Sequence, residues 1–301
     1  MKKWLWRGLG LWALWRLFGP EVPPRFSGRQ ERPLDVPGRT VSVGRSEFLV
    51  REAGPPEAPP LVLLHGWLYD SLATWHRVLP HLSADHRVVM IDLRNHGKSD
   101  HTRGRFDITE AADEVALVLA RLGLGGVPVV GYSMGGMVAM ALVDRHPGLV
   151  SRVVLGATAA HPVDFPRWAT VPLFVAGRAL GRFDRLGLPR LSHWYLSAAG
   201  AVDPRHSAWL WDQLLDRDID LYYESGFSIL RFDFTDRAKF VDIPTLVVIP
   251  TRDQLVFPRL QYATASAIPG AEIAEIVDAR HEAVLTHPTE VAKAIREFVA
   301  E

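Results

Sequence analysis

The 301-residue sequence contains no cysteine, and its 34 basic side chains are balanced by 34 acidic ones. The lack of cysteine excludes disulfide frameworks, thiolate metal sites and cysteine nucleophiles. A formal net charge of zero provides no global positive field to hold a polyphosphate backbone, so we expect no nucleic-acid partner. The motifs of zinc proteases and EF-hands are also missing, and we predict neither a metal nor another cofactor.

Residues 1–18 are rich in tryptophan but too short in apolar length to span a membrane. Their longest charge-free run covers residues 8–15, whereas a spanning helix needs about 20 apolar residues. On a helix their apolar side chains share one half-turn sector with basic residues at its edges, which favours contact with an anionic membrane surface. A helix docked on the protein's own core and an export signal are the alternatives. We expect a cytoplasmic protein with peripheral membrane association. Export stays open, because the segment has the apolar length of a signal peptide and lacks only its cleavage site.

An alternation of apolar strands and amphipathic helices begins after a Pro- and Gly-rich stretch at residues 20–60. Runs of strand length, typical of parallel strands buried on both faces, occupy residues 61–64, 88–91, 127–130, 153–155 and 246–249. The pattern predicts the α/β class with a doubly wound, mainly parallel sheet. Between about His161 and Phe240 the alternation of strands and helices is interrupted by short helical segments that are rich in aromatic residues. We therefore predict an N-terminal segment and linker at 1–35, an α/β core at 36–160 and 241–301, and a helical lid at 161–240.

Polar residues follow the predicted parallel strands, at the sheet edge where open α/β folds bind ligands. After the strand at 127–130 comes Gly131-Tyr132-Ser133-Met134-Gly135, followed by an apolar helix. A serine on such a tight, strained turn needs neighbours without β-carbons, and the Gly-x-Ser-x-Gly spacing between strand and helix is typical of a nucleophile elbow. We predict that Ser133 is a nucleophile.

A serine hydroxyl needs a base that takes its proton during attack. His281 is the predicted base, because it lies between a strand-like segment at 272–277 and the final helix. His65 and His96 are alternatives, since they also follow predicted strands.

The base in turn needs an acid that orients it and stabilises its protonated form. Asp253, directly after the strand at 246–249, is the predicted acid. Asp278 is a nearby competitor, but it stands three residues from His281 and is expected to shape that turn instead.

Together these motifs resemble the α/β-hydrolase superfamily from about residue 40 to the C-terminus, and within it the lid-bearing serine esterases and lipases. The resemblance is carried in order by His65-Gly66-Trp67, the stretch from Asp92 to Ser99, Gly131 to Gly136, and the loops holding Asp253 and His281. The sequence departs from the family at Asn95-His96, where many members have a glycine, and residues 1–35 have no counterpart in the common core.

The resemblance implies an oxyanion hole and a loop beside the pocket. The backbone N–H groups of Trp67 and Met134 are the implied donors, and His65 and Gly66 are implied to shape the pocket beside them. The aromatic content of the lid suggests an apolar pocket, for which we name Trp168 and Trp194.

We therefore predict a serine hydrolase that cleaves a small-molecule carboxylic ester with a lipophilic acyl or alkyl part, through an acyl-enzyme. An acyltransferase or a carbon–carbon bond hydrolase would use the same three residues. A non-catalytic hydrolase-like binding protein is the alternative from another class. The sequence leaves the oligomeric state open.

Overall fold

The computed structural model describes residues 31–67 and 69–300, and a mixed sheet forms its centre. The strands are β1 (Gly38–Val43), β2 (Ser46–Ala53), β3 (Pro60–Leu64), β4 (Arg87–Ile91), β5 (Val127–Tyr132), β6 (Val150–Gly156), β7 (Thr245–Pro250) and β8 (Glu272–Ile276). Their order is β1-β2-β4-β3-β5-β6-β7-β8. Strand β2 is antiparallel to β1 and β4, and the other neighbouring strands are parallel. The predicted mainly parallel sheet is confirmed.

Helices pack on both faces of this sheet. They are α1 (Ser71–Trp75), α2 (Leu79–Leu82), α3 (Ile108–Arg121), α4 (Met134–Arg145), α5 (Arg167–Phe183), α6 (Gly187–Ala198), α7 (Ser207–Leu215), α8 (Ile219–Arg231), α9 (Thr235–Ala238), α10 (Pro258–Ala267), α11 (Ala283–Thr286) and α12 (Pro288–Val299). Successive side chains of a strand point to opposite faces, so Val62 and Leu64 pack with α3 and α4, whereas Leu61 and Leu63 pack with α1 and α12.

Helices α5 to α9 occupy the chain between β6 and β7, and we call residues 157–244 the insertion. Helix α5 lies closely on α8: a β-carbon on Gly181 would come within 2.6 Å of Ile219, and Arg178 forms ion pairs with Asp220 and Glu224. The opposite side of α5 is apolar and exposed, with Phe183 72% exposed. The lid predicted at 161–240 falls within this insertion, and its role stays a prediction.

The described chain begins at Glu31, whose carboxylate lies 4.0 Å from His206 in the insertion. Leu34 and Val36 then pack against the core. No helix within residues 31–67 and 69–300 has the length and apolar character needed to cross a membrane. The predictions made for residues 1–18 lie outside the described residues.

Candidate active site

Ser133 stands at the junction of β5 and α4 in a strained backbone conformation. Its φ of 54° and ψ of −118° are unusual for a residue with a β-carbon. The turn is held because the Ser133 N–H donates to the carbonyl of Gly156 at 2.8 Å. Neighbouring backbone leaves no room for a side chain at the two glycines of the motif. A β-carbon on Gly131 would lie 2.3 Å from the carbonyl oxygen of Gly135, and one on Gly135 would lie 2.4 Å from the carbonyl oxygen of Leu64. This crowding explains the Gly-x-Ser-x-Gly spacing.

Three predicted residues meet beyond the carboxyl ends of β5, β7 and β8. Nε2 of His281 lies 3.0 Å from Oγ of Ser133, and Nδ1 of His281 lies 2.8 Å from Oδ2 of Asp253. The Asp253 side chain is fully buried, and that of His281 is 12% exposed. Burial alone would lower the pKa of His281, but the Asp253 carboxylate outweighs it and raises that pKa overall. The hydroxyl, imidazole and carboxylate thus form one continuous chain.

The Asp253 carboxylate is held in place by further hydrogen bonds. The N–H groups of Leu255 and Val256 donate to Oδ1 at 2.8 and 2.9 Å, and Nε2 of Gln261 donates to Oδ2 at 3.0 Å. Gln261 was not found from the sequence, because an amide inside α10 has no motif spacing to mark it. The competitor Asp278 instead forms an ion pair with Arg252 at 2.7 Å, and its carboxylate is turned toward solvent.

The loop after β3 passes beside Ser133. A β-carbon on Gly66 would lie 3.3 Å from Cβ of Ser133, so the backbone at Gly66 runs close to Ser133. Met134 begins α4, where the first N–H groups have no acceptor within the helix. The role of the backbone N–H groups of Trp67 and Met134 as oxyanion donors stays a prediction.

The Trp67 side chain joins this loop to the insertion. Its ring stacks on Tyr222 at 4.2 Å between centroids and lies 5.8 Å from the ring of Phe174. Its Nε1–H also donates to the carbonyl of Tyr222 at 2.8 Å. Helices α5 and α8 thus pack directly on the loop that follows β3.

The two alternative bases are buried and form hydrogen bonds with groups other than Ser133: Nδ1 of His96 bonds the carbonyl of Arg94. His65 is fully buried, accepts a hydrogen bond from the N–H of Leu93 through Nε2, and donates through Nδ1 to the carbonyl of Gly66. Burial lowers the pKa of His65 to about 4, and burial together with His65 holds the pKa of His96 well below its usual value. His65 therefore joins the loop after β3, at Gly66, to the loop after β4, at Leu93.

The two tryptophans named for the pocket lie in the insertion. Trp168 is 81% exposed and Trp194 is 49% exposed. Neither is enclosed, and their contact with a substrate stays a prediction. Within residues 31–67 and 69–300, no three His, Asp or Glu side chains are grouped so that they could hold a metal ion.

Comparisons with known proteins identify the family of the chain. Residues 59–288 match the family model of the alpha/beta hydrolase fold. The chain is 30% identical over 263 residues to a non-heme chloroperoxidase of Streptomyces lividans, covering 83% of this chain and 94% of that protein. It is 25% identical to a pimeloyl-[acyl-carrier protein] methyl ester esterase of Neisseria meningitidis, covering 83% and 96%.

A solved structure of another protein has a similar fold. The enol-lactonase of Burkholderia xenovorans LB400 superposes with a TM-score of 0.76 at 26% identity, covering 87% of this chain and 100% of that one. With the family model matching most of its length, the chain belongs to the α/β-hydrolase family.

Proposed function

We propose that the protein is a serine hydrolase that cleaves carboxylic esters. The observation that carries the proposal is the hydrogen-bonded chain from Ser133 through His281 to the buried Asp253. Such a chain supplies a nucleophile, a base and the group that orients the base. The names of the similar esterase and enol-lactonase also indicate that those two proteins cleave ester bonds.

The geometry supports the following sequence of steps. Oγ of Ser133 attacks the ester carbonyl while Nε2 of His281 takes its proton, and the N–H groups of Trp67 and Met134 stabilise the oxyanion. Each such donor contributes roughly 10² to 10³ in turnover. His281, stabilised as a cation by Asp253, returns the proton to the leaving alcohol. Water activated by His281 then hydrolyses the acyl-enzyme.

We propose an ester with a lipophilic acyl or alkyl part as the substrate. Aromatic side chains of the insertion support this choice, since Tyr222 and Phe174 stack against Trp67 in the loop after β3. We also propose that residues 1–18 bring the enzyme to an anionic membrane surface. Exposed apolar residues on α5, such as Leu180 and Phe183, support a contact of the insertion with lipid.

A panel of esters of increasing acyl length tests the activity and the substrate class together. We expect turnover that rises from acetyl to medium-chain esters, and labelling of Ser133 by a fluorophosphonate. Addition of competing alcohols separates hydrolysis from acyl transfer by the products formed. A protein that neither turns over any ester nor takes the label would be a binding protein and not a hydrolase.

Peroxide-dependent chemistry is a second candidate, favoured by the similarity to a non-heme chloroperoxidase. In that reaction hydrogen peroxide would replace water in attacking the acyl group on Ser133, which releases a peracid. Peracid formation from acetate and peroxide, compared between wild type and Ser133→Ala, tests it.

A further inference from the structure

The guanidinium of Arg217, in the turn between α7 and α8, contacts a backbone carbonyl and two aromatic rings. Its Nη1 donates to the backbone carbonyl of Trp67 at 3.2 Å, and its guanidinium lies 5.4 Å from the ring centre of Tyr69 and 5.8 Å from that of Tyr222. No carboxylate of the described residues forms an ion pair with it. Burial lowers the pKa of Arg217, which shows that its surroundings disfavour the charge. Arg217 is half-buried, and the Asp70 carboxylate favours its charge only from beyond ion-pair distance, so the guanidinium can still take an anionic partner.

Arg217 also lines a cavity of about 400 Å³ between the insertion and the chain that follows β4. Three more arginines line this cavity: Arg103, Arg182 and Arg185. Arg182 forms an ion pair with Asp220. Arg103 and Arg185 resemble Arg217, since within residues 31–67 and 69–300 neither forms an ion pair.

Two acids share the cavity, but neither forms an ion pair with Arg103, Arg185 or Arg217. Asp218 accepts from the N–H groups of Asp220 and Leu221 and thereby caps α8. Asp220 is bound by Arg182 and by Arg178. The lining therefore carries two net positive charges, with the apolar side chains of Leu188 and Ile219 beside them.

We propose that this cavity binds an anionic group, a phosphate or a carboxylate, between Arg103, Arg185 and Arg217. Guanidinium groups bind both anions through paired N–H donors. The anion comes either from the far end of the ester substrate or from a free anion in solution. Arg217 donates a hydrogen bond to the carbonyl of Trp67, so an anion bound to Arg217 affects the position of the loop that holds the proposed oxyanion donor. This last link rests on the proposed function, whereas the binding site does not.

Titration of the full chain with inorganic phosphate tests the site independently of catalysis. The Ser133→Ala variant is used, and sodium chloride keeps the ionic strength constant. We expect saturable binding of one phosphate, weakened at least fivefold by Arg185→Gln and by Arg103→Gln. Both side chains are exposed, so these variants should fold. Arg45→Gln, an exposed arginine in the β1–β2 turn, is the matched control and should bind as before. Absence of saturable binding, or equal loss in all three variants, overturns the site.

Kinetics of the active enzyme then identify the source of the anion. If it belongs to the substrate, an ester with a terminal carboxylate will have a KM at least fivefold below that of its neutral analogue. Arg185→Gln will remove the difference, and phosphate will compete. If it is a free anion, phosphate will change kcat for the neutral ester in wild type but not in Arg185→Gln. Phosphate binding without either effect overturns the link to Trp67.

Discussion

The hydroxyl of Tyr132 donates a hydrogen bond of 2.6 Å to the backbone carbonyl of His281. This bond joins the residue before the proposed nucleophile to the proposed base. Tyr132 is itself confined, because a β-carbon on Gly156 would lie 2.7 Å from its ring. Burial raises the pKa of Tyr132 well above its usual value, so the phenol keeps its proton and remains a donor. We infer that Tyr132 positions the His281 loop over the elbow.

Tyr132→Phe should lower kcat by roughly three- to tenfold and leave KM nearly unchanged. Loss of one hydrogen bond costs about 0.5–1.5 kcal/mol, and here the cost falls on the placement of His281 and not on substrate binding. Steady-state kinetics on a short-chain ester measure both constants. Tyr262→Phe is the matched control, since its hydroxyl binds Glu275 on the surface. An unchanged kcat in Tyr132→Phe would show that the loop is held by other contacts.

Ser133→Ala should retain the fold and reduce ester turnover by roughly 10⁴ or more, because the acyl-enzyme route is lost. Addition of His281→Ala to this variant should cost little further, since residues of one catalytic unit have strongly non-additive effects. Rates of the two single variants and the double variant decide this. Independent, multiplicative losses would contradict the triad, and residual activity of Ser133→Ala within tenfold of wild type would rule out Ser133 as the nucleophile.

The raised pKa of His281 sets the pH dependence. Only neutral imidazole can act as the base, so activity should fall as the pH drops through this pKa, at a higher pH than for an ordinary histidine. In Asp253→Asn burial remains while the carboxylate charge is lost, and the acid limb of kcat/KM should move to lower pH. Maximal activity should also fall by about 10⁴, as in comparable triads.

The same pH–rate profile in Asp278→Asn provides the control. Its carboxylate pairs with Arg252, so its removal should leave the acid limb in place. Near-normal activity in Asp253→Asn together with a large loss in Asp278→Asn would show that Asp278, and not Asp253, is the acid that orients His281.

Local patterns in the sequence predicted the strands and the elbow. Apolar runs marked β3 to β7, and the Gly-x-Ser-x-Gly spacing marked the junction of β5 and α4. Contacts between distant elements leave no such local trace. The bond from Gln261 to Asp253 and the stacking of Trp67 on Tyr222 depend on how α10 and α8 dock. The long insertion was predicted as an interruption, but its docking on the Trp67 loop required the structure.

The last prediction concerns the proposed membrane contact of residues 1–18. Lys2, Lys3, Arg7 and Arg16 each attract anionic lipid by about 1 kcal/mol near the surface, and tryptophans favour the interface. A chain beginning at Arg25 keeps Leu34 and Val36, which pack against the core, and should therefore fold.

This shortened chain should hydrolyse a soluble short-chain ester within about twofold of the full-length rate, because the truncation removes none of the proposed catalytic residues. It should also stop co-sedimenting with vesicles of phosphatidylglycerol and phosphatidylcholine, whereas the full-length protein should bind them and release them at high salt. Vesicles of phosphatidylcholine alone are the control for the charge dependence. If the truncation unfolds the protein or abolishes soluble-ester turnover, the segment is part of the folded core. If the full-length protein ignores anionic vesicles, the membrane contact is wrong regardless of the truncation.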